Sequence, residues 1–238
     1  MRRRDEKGKT LTGRLRIKAA NFPFKRLAAS IRPLFLALFC ALLLSGCLQA
    51  LYPRTKPPQY YRIDYPFRPS LCGKPFPATV RIGPFTASPP YDREQMVLCA
   101  PGREVDFSSH YQWIAPAADM IANDLMRDLS IGKVFENAVP AGSSVPATYR
   151  MSAEIYRFDL EKGRTSSRAL LDLEITLWRV KPRRIVFQKH FHYQSPPLAS
   201  NGPSEFAAAM SDLVARLSMD LRNDLCALSK DSSHPAGD

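Results

Sequence analysis

The sequence predicts one α+β domain behind an N-terminal lipoprotein signal, a mostly antiparallel mixed sheet with two main helices packed on it. Three observations predict it. Several segments alternate apolar and polar residues with period two, as half-buried strands do. Two segments repeat apolar residues at helical spacing. The first 46 residues differ from the rest in charge and hydropathy.

That leader has three zones. Residues 1–46 carry eleven Lys and Arg against Asp5 and Glu6, so they hold nine of the +12 net charges. The excess is therefore local, and the remaining chain shows no phosphate-binding surface at the level of sequence, which argues against a nucleic-acid partner. An apolar run follows from Leu34 to Leu44. Eleven helical residues span about 16 Å at about 1.5 Å each, against a hydrocarbon core of about 30 Å. Pro53 and Arg54 close the run before it reaches a membrane-spanning length.

The run ends in Leu44-Ser45-Gly46-Cys47, the pattern of a bacterial lipobox. Small side chains at Ser45 and Gly46 let a signal peptidase approach the backbone, and the Cys47 thiol takes a diacylglycerol as a thioether. The amino group freed by cleavage then accepts an acyl chain such as palmitate. Two or more chains hold a protein on a bilayer where one holds it marginally. Leu48 stands where an Asp would retain the protein in the inner membrane. The expected location is thus the outer membrane, lipid-anchored and facing the periplasm. The expected divisions are a signal peptide (1–46), a lipidated tether (47–58), the domain (59–229) and a disordered tail (230–238). Pro53, Pro57 and Pro58 favour an extended tether that holds the domain off the membrane surface.

Within the domain, Tyr60 to Asp64 reads as a short first strand. The stretch from Ala78 to Ala87 sets Val80 and Ile82 against Arg81 and Gly83, and Glu94 to Ala100 reads as its partner strand. A helix is predicted from Pro116, which lacks the N–H that a first helical turn leaves unpaired. Ala118, Ile121, Ala122, Leu125 and Leu129 form its apolar face, with Asp119, Asn123, Arg127 and Asp128 mostly opposite and Gly132 as its stop. Three strands follow. The first changes phase between Ile155 and Tyr156, which predicts a bulge. The second alternates Ala169, Leu171, Leu173, Ile175 and Leu177 against Asp172, Glu174 and Thr176, and the turn from Lys181 to Arg184 joins it to the third as an antiparallel meander. A last helix from about Pro203 to Leu228 repeats Phe206, Met210, Leu213, Val214, Leu217, Leu221 and Leu225.

The cysteines fit an oxidising compartment. Cys40 leaves with the signal and Cys47 carries lipid, so Cys72, Cys99 and Cys226 remain. One internal disulfide can form among them, by any of three pairings. No CxxC motif supports a redox or zinc site.

Few residues carry other chemistry. His190 and His192 share a strand face but have no third ligand near them in sequence, so no metal site is expected. The Gly142 to Ser144 stretch lacks the form of a nucleophile elbow. Asp159 and Glu161 share a face, as carboxylates on solvated surfaces often do. No phosphate-cradling Gly-rich loop is present, so an ATPase must be another subunit. The reading is non-enzymatic, with no cofactor beyond the diacylglycerol and N-acyl chain on Cys47. Tyr111 and Trp113 share a face of one extended segment and are candidate interface residues, with core packing as the alternative. Trp178 falls on the face of Asp172, Glu174 and Thr176 and is the better candidate for partner contact.

A family resemblance rests on these residues in order: the lipobox, YYRID from Tyr60, VRIGPF from Val80, Tyr91, and MVLC from Met96. After them come HYQWIAPAADMIANDLMRDLSIGKVF from His110, YRMSAEIYRFD from Tyr149, and an Ala-rich terminal amphipathic helix. The chain resembles the ABC-type transport auxiliary lipoprotein family, the lipoprotein components of Pqi/MCE-type intermembrane transport systems. The three remaining cysteines have no place in that pattern. The resemblance implies a non-catalytic outer-membrane accessory in intermembrane lipid transport and envelope integrity. It also implies membrane lipid, an MCE-domain protein and ABC transporter subunits as partners, with a possible homo-oligomer. The alternative function is a tethered outer-membrane lipoprotein that regulates a periplasmic enzyme such as a peptidoglycan synthase.

Overall fold

A computed structural model of the protein describes residues 56–68, 72–100 and 104–231, with side chains to residue 229. The signal, the lipobox, Cys47, nearly all of the tether and nearly all of the tail lie outside these residues. Among them are strands β1 (Gln59–Tyr61), β2 (Phe76–Ala87), β3 (Gln95–Cys99) and β4 (Val105–Trp113), then helix α1 (Ala117–Ile131). Strands β5 (Phe135–Pro140), β6 (Tyr149–Lys162), β7 (Ser167–Arg179) and β8 (Arg184–Gln194) follow, and helix α2 (Pro203–Asp231) closes the series.

The eight strands form one mixed sheet in which β6 is the hub. Along one side β6 pairs antiparallel with β7 over its whole length, and β7 pairs antiparallel with β8. This is the meander that the alternation predicts. Along its other side the first half of β6 runs parallel to β2 and the second half parallel to β3. The reading of β3 as the partner of β2 is therefore corrected. A strand of 14 residues is long enough for two shorter strands to share its edge. Strand β4 pairs antiparallel with β3, and β1 runs parallel to β4. Strand β5 runs parallel to β2 on its outer side. The sequence analysis did not read β5 as a strand, because of its six residues only Phe135 is fully buried.

The predicted bulge in β6 falls between Ile155 and Arg157. It restores burial to Phe158 and Leu160 after the phase change. A second irregularity lies in β2 between Ile82 and Phe85. There Gly83 has φ +93°, a conformation that a side chain disfavours.

Both helices lie over the same face of the sheet. Helix α1 covers β2 and β5, and α2 covers β7 and β8 while touching α1. Beneath them Val80, Met151, Ile155, Leu171, Leu173 and Ile175 are fully buried. Each such side chain contributes about 1.5–3 kcal/mol on burial. Every apolar residue predicted for the α2 face is buried. In α1 the buried set is Ala117, Ala118, Met120, Ile121, Leu125 and Leu129, with Asp128 among them. Helix α1 ends where the Gly132 N–H donates to the Asp128 carbonyl.

Asp128 corrects the prediction that it faces solvent. It is 1% exposed, and its carboxylate accepts from the hydroxyls of Tyr65 at 2.8 Å and Ser218 at 2.6 Å and from Arg127 Nε at 2.8 Å. Charged and neutral donors together replace the water that it gave up. Tyr65 belongs to the segment 62–68, which is not the continuous strand expected up to Asp64. Its Asp64 N–H donates to Ser211 Oγ, and its Arg68 carbonyl accepts from Arg222. The segment thus straps the two helices together.

Candidate functional site

Trp113 lies at the end of β4, 1% exposed, with its ring edge-on to Phe158 at 5.1 Å and Phe206 at 5.4 Å. It presents no surface to a partner, so its candidacy as an interface residue is corrected in favour of core packing. Large aromatic area gathers the sheet and α2 around it. Tyr111 is half-buried and meets Tyr61 of β1 edge-on at 6.2 Å. Its contact serves the pairing of β1 with β4.

The structure joins Cys72 to Cys226, with Cα atoms 5.5 Å apart. This ties the segment before β2 to the last turns of α2. Cys99 is the free cysteine among the described residues. Burial, with the Asp159 carboxylate beside it, pushes its thiol up to about 11. At neutral pH it is protonated and therefore a poor nucleophile.

Asp159 is not the solvated carboxylate that the sequence suggests. It is fully buried on the sheet face away from the helices and takes two hydrogen bonds from Arg157, at 3.0 and 2.8 Å. Arg157 also reaches Glu161 at 3.2 Å. Burial raises the Tyr91 hydroxyl well above its usual range, and Asp159 adds to that rise. Bidentate geometry and burial make this cluster a brace between β6 and the loop before β3.

His190 and His192 stand on the exposed face as predicted. The structure adds Asp172 between them, with His190 Nε2 at 2.5 Å and His192 Nδ1 at 2.9 Å from its two oxygens. Tyr156 stacks on His190 at 5.7 Å. Among the described residues no group of three or more His, Cys, Asp or Glu is arranged to hold a metal ion.

Trp178 remains accessible. It sits on the sheet face away from the helices, opposite Arg150 in register, with the Arg183 guanidinium 5.4 Å from its ring centre. These three, with Arg179 and Val180, line a hollow of about 410 Å³. Arg179 also lines a second hollow of about 580 Å³, beside Arg184 and Ile185. Cations that are scattered in the chain meet at this end of the sheet.

Taken together, the described residues form an α+β domain, one mixed sheet with two helices on it and a disulfide from Cys72 to Cys226. Comparison with known proteins gives the particular family. The family described as ABC-type transport auxiliary lipoprotein component matches residues 72–221, and the chain belongs to it. No curated protein sequence matches. Among solved structures, protein XCC0632 from Xanthomonas campestris, a DUF330 protein, is similar at TM-score 0.64 and 18% identity, covering 74% of this chain and 99% of that one. An uncharacterized protein is similar at TM-score 0.53 and 13% identity, covering 71% of this chain and 99% of the other. At these identities the likeness shows the fold.

Proposed function

We propose that the protein is the outer-membrane lipoprotein of an ABC/MCE-type transport system and serves lipid movement between the two membranes without catalysing a reaction. The family match over residues 72–221 carries this reading. The lipobox ending at Cys47 supports it by supplying an anchor, and Leu48 favours the outer membrane. In this role Cys47 bears the acyl chains, the tether spans from the bilayer, and the folded domain meets MCE and transporter subunits, as a homo-oligomer.

The test has two parts. Metabolic labelling with a fatty-acid analogue should mark the wild-type protein and leave Cys47→Ala as an unlabelled precursor. Persistent label on the variant would contradict the anchor. Affinity purification from detergent-solubilised envelopes should recover MCE-domain and permease subunits. Recovery of peptidoglycan synthases in their place would replace the transport reading with a regulatory one.

A further inference from the structure

Three separate stretches meet at the end of the sheet where β6 begins and β7 turns into β8. Residues 77–87 bring Arg81, residues 137–153 bring Arg150, and residues 175–188 bring Arg179, Lys181, Arg183 and Arg184. None of these stretches contains an Asp or a Glu. The register sets Arg81 beside Arg150 and Arg150 beside Trp178, with Arg179 opposite Arg184. No ion pair among the described residues engages any of the six cations.

Arg150, Arg179 and Arg183 line one hollow with no ion-pair partner among the described residues, an arrangement that is unfavourable in the free protein and favours an anionic partner. Guanidinium groups suit phosphate through paired N–H donors. The same place is not wholly polar. Trp178 lies under Arg183, while Val180 is 42% and Ile185 44% exposed. An aromatic ring, aliphatic side chains and arginines in one patch are the composition found at the headgroup level of a bilayer. We infer that this end of the sheet seats on the phosphodiester headgroups of an anionic lipid bilayer, with Arg150 and Arg183 on phosphates and Trp178 beside them in the interface.

The inference rests on the lipoprotein reading. An anchor at Cys47 keeps bilayer phosphate at high effective concentration around the domain. Whatever its conformation, the stretch from Cys47 to the domain reaches at most about 3.3–3.6 Å per residue, which limits how far the domain can lie from the anchor. Attraction of basic side chains to an anionic leaflet acts over about a Debye length, so contact is needed.

The experiment uses the purified, lipidated protein in vesicles, after mass spectrometry has verified the acylated Cys47. The two tryptophans make the readout specific. Trp113 is buried and stays out of reach of lipid, so quenching by shallow brominated lipids reports Trp178. Quenching should be about two-fold or more stronger in phosphatidylglycerol than in phosphatidylcholine vesicles and should weaken in 0.5 M NaCl, a probe concentration of about the strength that screens surface charge. The pair Arg150→Glu and Arg183→Glu should bring it to the phosphatidylcholine level, and Trp178→Phe should abolish it. An unchanged melting temperature in both variants verifies that their folds are intact.

Equal quenching in the two lipids, or quenching indifferent to the arginines, overturns the inference. So does a Trp178 emission shift with glycerophosphoglycerol in detergent that matches the shift on vesicles, which would make the site a reader of soluble phosphate. Shielding of Trp178 by a transporter subunit with no response to lipid overturns it in favour of a protein partner. A lipidated protein that fails these tests leaves the proposed transport role standing.

Discussion

Trp113 of β4 and Phe206 of α2 meet edge to face, with ring centroids 5.4 Å apart and planes at 65°. This contact joins the outer part of the sheet to the first turn of the last helix. Truncation at Trp113 removes it together with the contact to Phe158. Trp113→Ala should therefore cost about 3–5 kcal/mol in urea unfolding. Trp113→Phe should cost much less, because the indole Nε1 has no hydrogen-bond partner and its removal leaves nothing unsatisfied. Trp178→Ala, on the accessible face, should fall within about 0.5 kcal/mol of wild type. A reversed order would refute the core reading of Trp113.

Asp128 holds the strap and both helices through Tyr65, Ser218 and Arg127. Asp128→Ala leaves those donors without their acceptor in a buried place, and about 3–5 kcal/mol of stability should be lost. Burial already raises the Tyr65 hydroxyl far above its usual range, with Asp128 adding to the effect, so Tyr65 remains a donor at any working pH. Tyr65→Phe should be milder, at about 1–3 kcal/mol. Chemical denaturation of the two variants side by side decides it.

The disulfide closes a loop of 154 residues in sequence separation. Reduction should destabilise the domain by about 2–5 kcal/mol. Peptide mapping without reductant should recover Cys72 linked to Cys226 and Cys99 unlinked. Alkylation of Cys99 should be slow near neutral pH and quicken towards pH 11, following the raised thiol. A mapped bridge that includes Cys99 would contradict the pairing.

Asp124 gives a pH dependence with a definite sign. Burial lifts its carboxyl to about 6 from the ordinary 3.8, although the Arg127 guanidinium 3.0 Å away opposes that rise. The unfolded chain releases this proton near 3.8 and the folded chain near 6. Between those values the folded state binds more protons, so this group's contribution to stability falls as pH rises and is fully lost above about 6. Asp124→Asn should flatten that slope. It should also raise the melting temperature at pH 7.5 by about 2–4 °C, the shift that about 1 kcal/mol makes in a domain of this size. A lower melting temperature at pH 7.5 would show that the ion pair with Arg127 outweighs burial.

The residue pattern was legible wherever structure depends on local periodicity. The alternation in β7 and the apolar stripe of α2 pointed to their buried faces, because a strand or helix face repeats at a fixed interval whatever it later packs against. The phase change in β6 was readable for the same reason. Asp128 and Asp159 were misread as solvated: the Tyr65 and Ser218 hydroxyls reach Asp128 from elsewhere in the chain, and although Arg157 lies two residues from Asp159, the burial of that pair depends on segments that only the fold brings over it. Strand β5 escaped notice because its partner β2 supplies its ladder bonds, and backbone pairing has no side-chain signature.

By itself the sequence showed the lipobox pattern and determined the positions of the longer strands and both helices, and the faces that they bury. These follow from hydropathy and spacing, which are properties of neighbouring residues. Tertiary structure alone decided that β2 and β3 share one edge of β6, that Cys72 takes Cys226, and that Arg150, Arg179 and Arg183 converge around Trp178. Each of these depends on which distant segments become neighbours, and that is settled by how the whole core closes.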